Sequence, residues 1–143
     1  MEQLSALQAC YARYEETVTR LYREAPAFAG FWGWGDDPRN DPCHARFYED
    51  VGAIAEAIAA SGSEEAAVYQ AARWLLEAPA KSGSKDAVWF EYAAQSHCGK
   101  LIPLLTAEHC AELVRLFEEC YPKRERLPAQ RELHKRLRQA AGK

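Results

Sequence analysis

Three adjacent pairs of histidine and cysteine are the residues of this chain best suited to chemistry. They are Cys43-His44, His97-Cys98 and His109-Cys110. Thiolate and imidazole are common zinc ligands, and a structural zinc ion needs four such groups. Ligand pairs are usually two to four residues apart, because adjacent residues on a helix diverge by about 100°. The pairs therefore favour buried thiols and histidines at helix ends. A metal site built from His44, His97, Cys98, His109 and Cys110 stays as the alternative.

The remaining polar residues give no clear sign of catalysis. Asp36, Asp37 and Asp41 resemble a magnesium-binding cluster, but Pro38 prevents a helix from presenting them, and turns and helix caps commonly use aspartate. The sequence contains no Gly-x-Ser-x-Gly elbow, no Walker loop and no His-Glu-x-x-His motif. We therefore predict that the chain is not an enzyme and uses no cofactor, with a small zinc-dependent enzyme as the alternative.

A stretch rich in aromatic residues and glycine lies just before Asp36. Residues 28–34 contain four large rings, and glycines interrupt them. Tryptophan is enriched among the residues that carry binding energy at interfaces, whereas large exposed apolar patches are rare on monomers. The stretch is predicted to be either a binding surface or a hydrophobic plug over the first helix. The candidate partner-binding residues are Trp32, Trp34, Asp36, Asp37 and Asp41.

The rest of the chain carries the pattern of α-helices. Apolar residues recur every three or four positions, which places them on one face of a helix. No segment alternates apolar and polar residues for long enough to predict a strand. We predict a single all-α domain over residues 1–143, a bundle or irregular array of about six helices, with an aromatic Gly-rich loop between the first two.

Local signals predict the ends of these helices. The predicted helix starts are Asp41, Ser63, the segment Ser82-Gly83-Ser84 and Thr106, and the predicted stops are Pro26, Gly62, Pro79, Gly99 and Pro122. In the fourth helix, the stripe predicted to face the core contains Val88, Trp89, Tyr92 and Ala93.

Charge is distributed unevenly along the chain. Residues 121–143 contain eight basic and two acidic residues, a net charge of +6, whereas residues 1–120 carry −9. Residues 122–143 are predicted to form a basic C-terminal helix or tail. We expect the rest of the chain to fold without this basic segment, because the segment offers few apolar side chains for burial. Arg131, Lys135 and Arg138 share one helical face suited to phosphate, but the acidic body argues against nucleic-acid binding.

Composition and charge together favour a protein-binding function. The number of cysteines is odd, and the sequence shows no secretion signal. No run of apolar residues is long enough to span a bilayer. We therefore expect reduced thiols, a cytoplasmic location and no membrane contact. An acidic domain associates quickly with a cationic partner. The expected function is that of a bacterial immunity or antitoxin-type protein that neutralises a basic toxin such as a nuclease. The alternatives are a zinc-dependent enzyme or metal-binding protein, and a nucleic-acid-binding protein acting through the terminal helix.

Overall fold

The protein is all-α, as the sequence predicts. A computed structural model describes residues 2–24, 41–83 and 87–142, and these ranges contain six α-helices and no strand. The helices are α1 (Glu2–Glu24), α2 (Cys43–Ala60), α3 (Glu65–Lys81), α4 (Ala87–Cys98), α5 (Ala107–Cys120) and α6 (Pro128–Ala140). Short 3₁₀ turns at Ile102–Leu104 and Lys123–Glu125 precede α5 and α6.

Several predicted helix ends are confirmed. The Asp41 carboxylate accepts a hydrogen bond from the backbone N–H of Cys43, the first residue of α2, at 2.8 Å, while Pro42 occupies the N-cap position. Gly62 follows the same helix with a φ of 68°, a left-handed conformation that glycine adopts without steric cost. The Thr106 hydroxyl accepts a hydrogen bond from the N–H of His109 at 3.1 Å at the start of α5.

Two other predicted ends are wrong. Pro79 lies inside α3, which continues to Lys81, because a proline in the last turn removes only one of the helix's hydrogen bonds. Ser63 does not cap α3, because the helix begins at Glu65 and Glu64 occupies its N-cap position; the Ser63 hydroxyl lies 2.6 Å from that of Ser61. Ser84, at the end of the predicted loop and cap before α4, lies outside the described residues.

The helix α3 lies at the centre of the fold. It packs against α1, α4 and α5, while α2 packs on α1 and α4, and α6 packs mainly on α5. The centre is built from fully buried apolar side chains, among them Leu75, Leu76, Phe90 and Phe117. This arrangement leaves one side of α4 between α2 and α6.

The basic C-terminal segment has a larger share of the core than the sequence indicates. Leu133 and Leu137 of α6 are buried within the main hydrophobic cluster, and His134 stacks on the ring of Phe117 with centroids 5.3 Å apart. This packing argues against the expectation that the rest of the chain folds without its basic segment, which a truncated chain would test. Basic residues occupy only the outer side of this helix.

The cysteines follow their predicted state. All five are free, four of them are buried, and Cys120 is partly exposed. Among residues 2–24, 41–83 and 87–142, no helix has the length and apolar content that crossing a bilayer requires.

Candidate functional site

The outward side of α4 is the most unusual surface among the described residues. Val88, Trp89 and Tyr92 are 76%, 37% and 58% exposed, although apolar spacing predicts them on the core side. The residues that α4 does bury include Phe90, Ala93 and Ala94. Sequence reasoning missed this surface because α4 is apolar around most of its circumference, so two different stripes fit the helical period.

Trp89 and Tyr92 form a ridge between two grooves. The α4–α6 groove has a volume of about 500 Å³, and its apolar walls include Val88, Leu127 and Leu133. The α2–α4 groove has a volume of about 420 Å³ and is lined on its other side by the start of α2. Both rings line both grooves, so a single partner could contact the ridge and either groove at once.

Other rings hold the ridge in place from below. Trp89 stacks on the imidazole of His44 with centroids 4.7 Å apart, and Nδ1 of that imidazole lies 2.6 Å from the hydroxyl of Tyr14. Tyr92 stacks on Tyr48 with centroids 5.3 Å apart. These contacts tie α1, α2 and α4 together. They restrict the rotation of the exposed rings before any partner binds.

Tyr48 is in turn supported by a buried histidine. The His97 ring lies 4.4 Å from that of Tyr48, and its Nε2–H donates to the Tyr48 carbonyl at 3.0 Å. Burial lowers the pKa of His97, with Lys100 acting in the same direction. The neutral imidazole is therefore the form that suits this packing.

The charged residues along both grooves are mainly acidic. Asp41 and Glu49 line the α2–α4 groove, and Glu91 and Glu132 line the α4–α6 groove. The bond from the Cys43 N–H lowers the pKa of Asp41, so this carboxylate stays ionised. Among the described residues, Arg136 is the one lysine or arginine that lines either groove. The described residues around the ridge are thus mostly negative in charge.

The three histidine–cysteine pairs do not converge on one point. Cys43 and His44 lie at the start of α2, and His97 and Cys98 lie at the end of α4. No group of three or more His, Cys, Asp or Glu side chains in the described ranges is arranged to hold a metal ion. The structure therefore assigns His44 and His97 to the support of the ridge.

The third pair serves a contact between α3 and α5. Nδ1 of His109 lies 2.7 Å and 2.6 Å from the two carboxylate oxygens of Glu65, while Cys110 is buried in the core. The same carboxylate accepts the N–H of Thr106 at 2.9 Å, and this bond is the main cause that lowers the pKa of Glu65. The His109 ring also stacks on Tyr69 at 3.9 Å.

Most of the predicted partner-binding residues cannot be compared with this site. Trp32, Trp34, Asp36 and Asp37 lie outside the described residues. Asp41 is described, and it lines the α2–α4 groove beside the ridge.

The predicted phosphate-binding face of the terminal helix is accessible. Arg131, Lys135 and Arg138 of α6 are all exposed. Arg131 donates to the backbone carbonyl of Arg126 at 3.0 Å. Nucleic-acid binding by these side chains stays a prediction.

Comparisons of the chain with protein-family models, with curated proteins and with solved structures find no match. What the site does must therefore follow from its own residues.

Proposed function

We propose that this chain is a non-catalytic protein-binding module that captures a cationic protein on the ridge formed by Trp89 and Tyr92. The finer proposal is a bacterial immunity or antitoxin-type role, in which the captured protein is a basic toxin such as a nuclease. The observation that carries the proposal is the pair of exposed rings, stacked on His44 and Tyr48, between two grooves with acidic residues.

The chemistry of the ridge suits an interface anchor. Tryptophan and tyrosine dominate interface hot spots, because each buries a large apolar area with few rotatable bonds. Here both rings are already stacked on other rings, so binding costs less side-chain entropy than it would for free rings. Large apolar side chains exposed together on one helix are typical of a surface that a partner covers.

The charge of the site supports a basic partner. In the part of the chain that the structure describes, four acidic residues and one arginine line the two grooves, and residues 1–120 carry a net charge of −9. Such a field accelerates encounter with a cationic protein. An inhibitor of a nuclease needs this property, because the surface that binds nucleic acid is basic.

A site-specific crosslinker tests the surface. We expect a photoreactive amino acid in place of Val88 to trap a basic protein from cells that make this chain. The same group in place of Arg115, an exposed residue of α5 that lines neither groove, should not trap that protein. Equal trapping from both positions would refute the proposed surface.

Rate measurements with the purified partner then test the mechanism. Tyr92→Ala should speed dissociation by about 30-fold, the equivalent of a 2 kcal/mol hot spot, whereas Arg115→Ala should leave it unchanged. Added salt should slow association more than it speeds dissociation. If the partner is a nuclease, the wild-type chain should inhibit it at a one-to-one ratio. Unchanged rates in a folded Tyr92→Ala variant would show that the ridge is not the anchor.

A further inference from the structure

Glu91 carries a half-buried carboxylate and lines the α4–α6 groove. It lines this groove together with Val88, Leu127 and Leu133. Its Oε1 accepts a hydrogen bond from Nε2 of Gln130 at 2.5 Å. No basic side chain in residues 2–24, 41–83 or 87–142 forms an ion pair with it.

The partner of Glu91 is itself fixed. Oε1 of Gln130 accepts the N–H of Leu127 at 2.8 Å, so the amide must turn its Nε2 towards Glu91. Arg136, the cation lining the same groove, donates to the carbonyl of Gly99 at 3.1 Å instead. Among the described residues, one neutral donor thus holds the carboxylate in position.

This arrangement leaves a charge that is only partly compensated. Burial raises the pKa of Glu91, and the Gln130 bond opposes the shift without removing it. A carboxylate taken from water is costly unless a cation pairs with it. A bound cation would therefore gain more here than at an exposed acid on the rim.

We propose that Glu91 receives one lysine or arginine side chain from an amphipathic helix of the partner, which lies in the α4–α6 groove. The apolar side of that helix packs against Val88, Leu127 and Leu133. This inference rests on the proposed function and makes Glu91 the residue that selects the partner's basic group.

The shape and chemistry of the groove favour this occupant. A channel between two helices is a common receptor for an amphipathic helix. Lysine and arginine carry long aliphatic stems that pack on apolar walls while the head reaches an acid. A charge pair shielded from water discriminates strongly against neutral side chains, because the wrong side chain leaves the carboxylate unpaired.

Two small probes test the cation site without the partner. Hexylammonium and hexanol have the same apolar chain and differ in charge, and their binding can be followed by amide NMR shifts of α4 and α6. We expect hexylammonium to bind the groove about tenfold more tightly than hexanol, the ratio expected for a charge-assisted hydrogen bond. Glu91→Gln should abolish this preference. The matched control Glu132→Gln, an exposed acid of the same groove, should largely retain it.

The outcomes separate this inference from the proposed function. Equal binding of both probes to the wild type, or equal losses in the two variants, would overturn the role of Glu91. So would the absence of any groove shift with hexylammonium. Loss of groove signals when the protein alone is concentrated would assign the groove to a second copy of this chain, which also overturns the inference.

The same variants applied to the trapped partner complete the test. Glu91→Gln should speed its dissociation at least tenfold, while Glu132→Gln should act mainly on association. If Tyr92→Ala weakens binding and Glu91→Gln does not, the inference fails and the proposed function stands. If none of the variants weakens binding, both fail.

Discussion

Replacing Gly52 by alanine should destabilise the protein, because the added methyl group would displace His97, the histidine that supports Tyr48. Gly52 is buried in the middle of α2, directly against His97. A Cβ at this position would lie 2.6 Å from Cε1 and 2.9 Å from Nε2 of the imidazole. Real side chains essentially never approach so closely, so the ring would have to move away from Tyr48.

Opposing contributions set the size of the effect. Alanine inside a helix is favoured over glycine by about 1 kcal/mol. Displacing a buried ring costs about 1–3 kcal/mol, and losing its bond to the Tyr48 carbonyl adds about 1 kcal/mol. The cost of displacing the ring should exceed the gain in helix propensity. The free energy of unfolding of Gly52→Ala should therefore be about 1–3 kcal/mol lower than that of the wild type.

Urea unfolding followed by circular dichroism measures this change, and a second background isolates its cause. In a His97→Ala chain the obstruction is gone, so adding Gly52→Ala should stabilise that chain by up to about 1 kcal/mol. A Gly52→Ala single variant as stable as the wild type would refute the reasoning. So would the same loss of stability in both backgrounds.

Other properties follow from the buried groups. Burial lowers the pKa of His97 and His134 below the ordinary value of about 6.5, so both histidines take up protons more readily when unfolded. The stability they contribute should be complete above pH about 6.5 and lost as the pH falls below it, which urea titrations across this range would detect. Deleting residues 123–143 should lower the free energy of unfolding by at least about 3 kcal/mol, and a truncated chain that melts as cooperatively as the full one would contradict this. Burial raises the pKa of Cys98 to about 12, so a thiol reagent should modify the partly exposed Cys120 first and Cys98 only on unfolding.

The sequence predicts helix ends well where they depend on local chemistry. Thr106 needs only the N–H three residues further on, and Gly62 needs only a backbone free to adopt positive φ. Ser63 does not fit this logic, because α3 begins at Glu65 and its N-cap position is Glu64, one residue after the serine. A capping residue therefore predicts the region of a helix start better than the first residue of the helix.

The exposed face of α4 was not predictable from spacing alone. Phe90 and Trp89 are adjacent aromatic residues on an apolar helix, and only packing against α2, α3 and α6 decides which of them is buried. The role of Glu91 depends likewise on Gln130, which lies 39 positions away. Contacts of this range leave no periodic signal in a single sequence.

The Glu65 carboxylate joins the first turns of α3 and α5, and this has an evolutionary consequence. This carboxylate contacts both the N–H of Thr106 and the imidazole of His109. Position 65 therefore shares one arrangement with two positions more than 40 residues away in the sequence. Aspartate is one methylene shorter than glutamate and would not span both partners. Homologues that lose the acid at position 65 should therefore also lose the histidine at position 109, and the two positions should change as a pair.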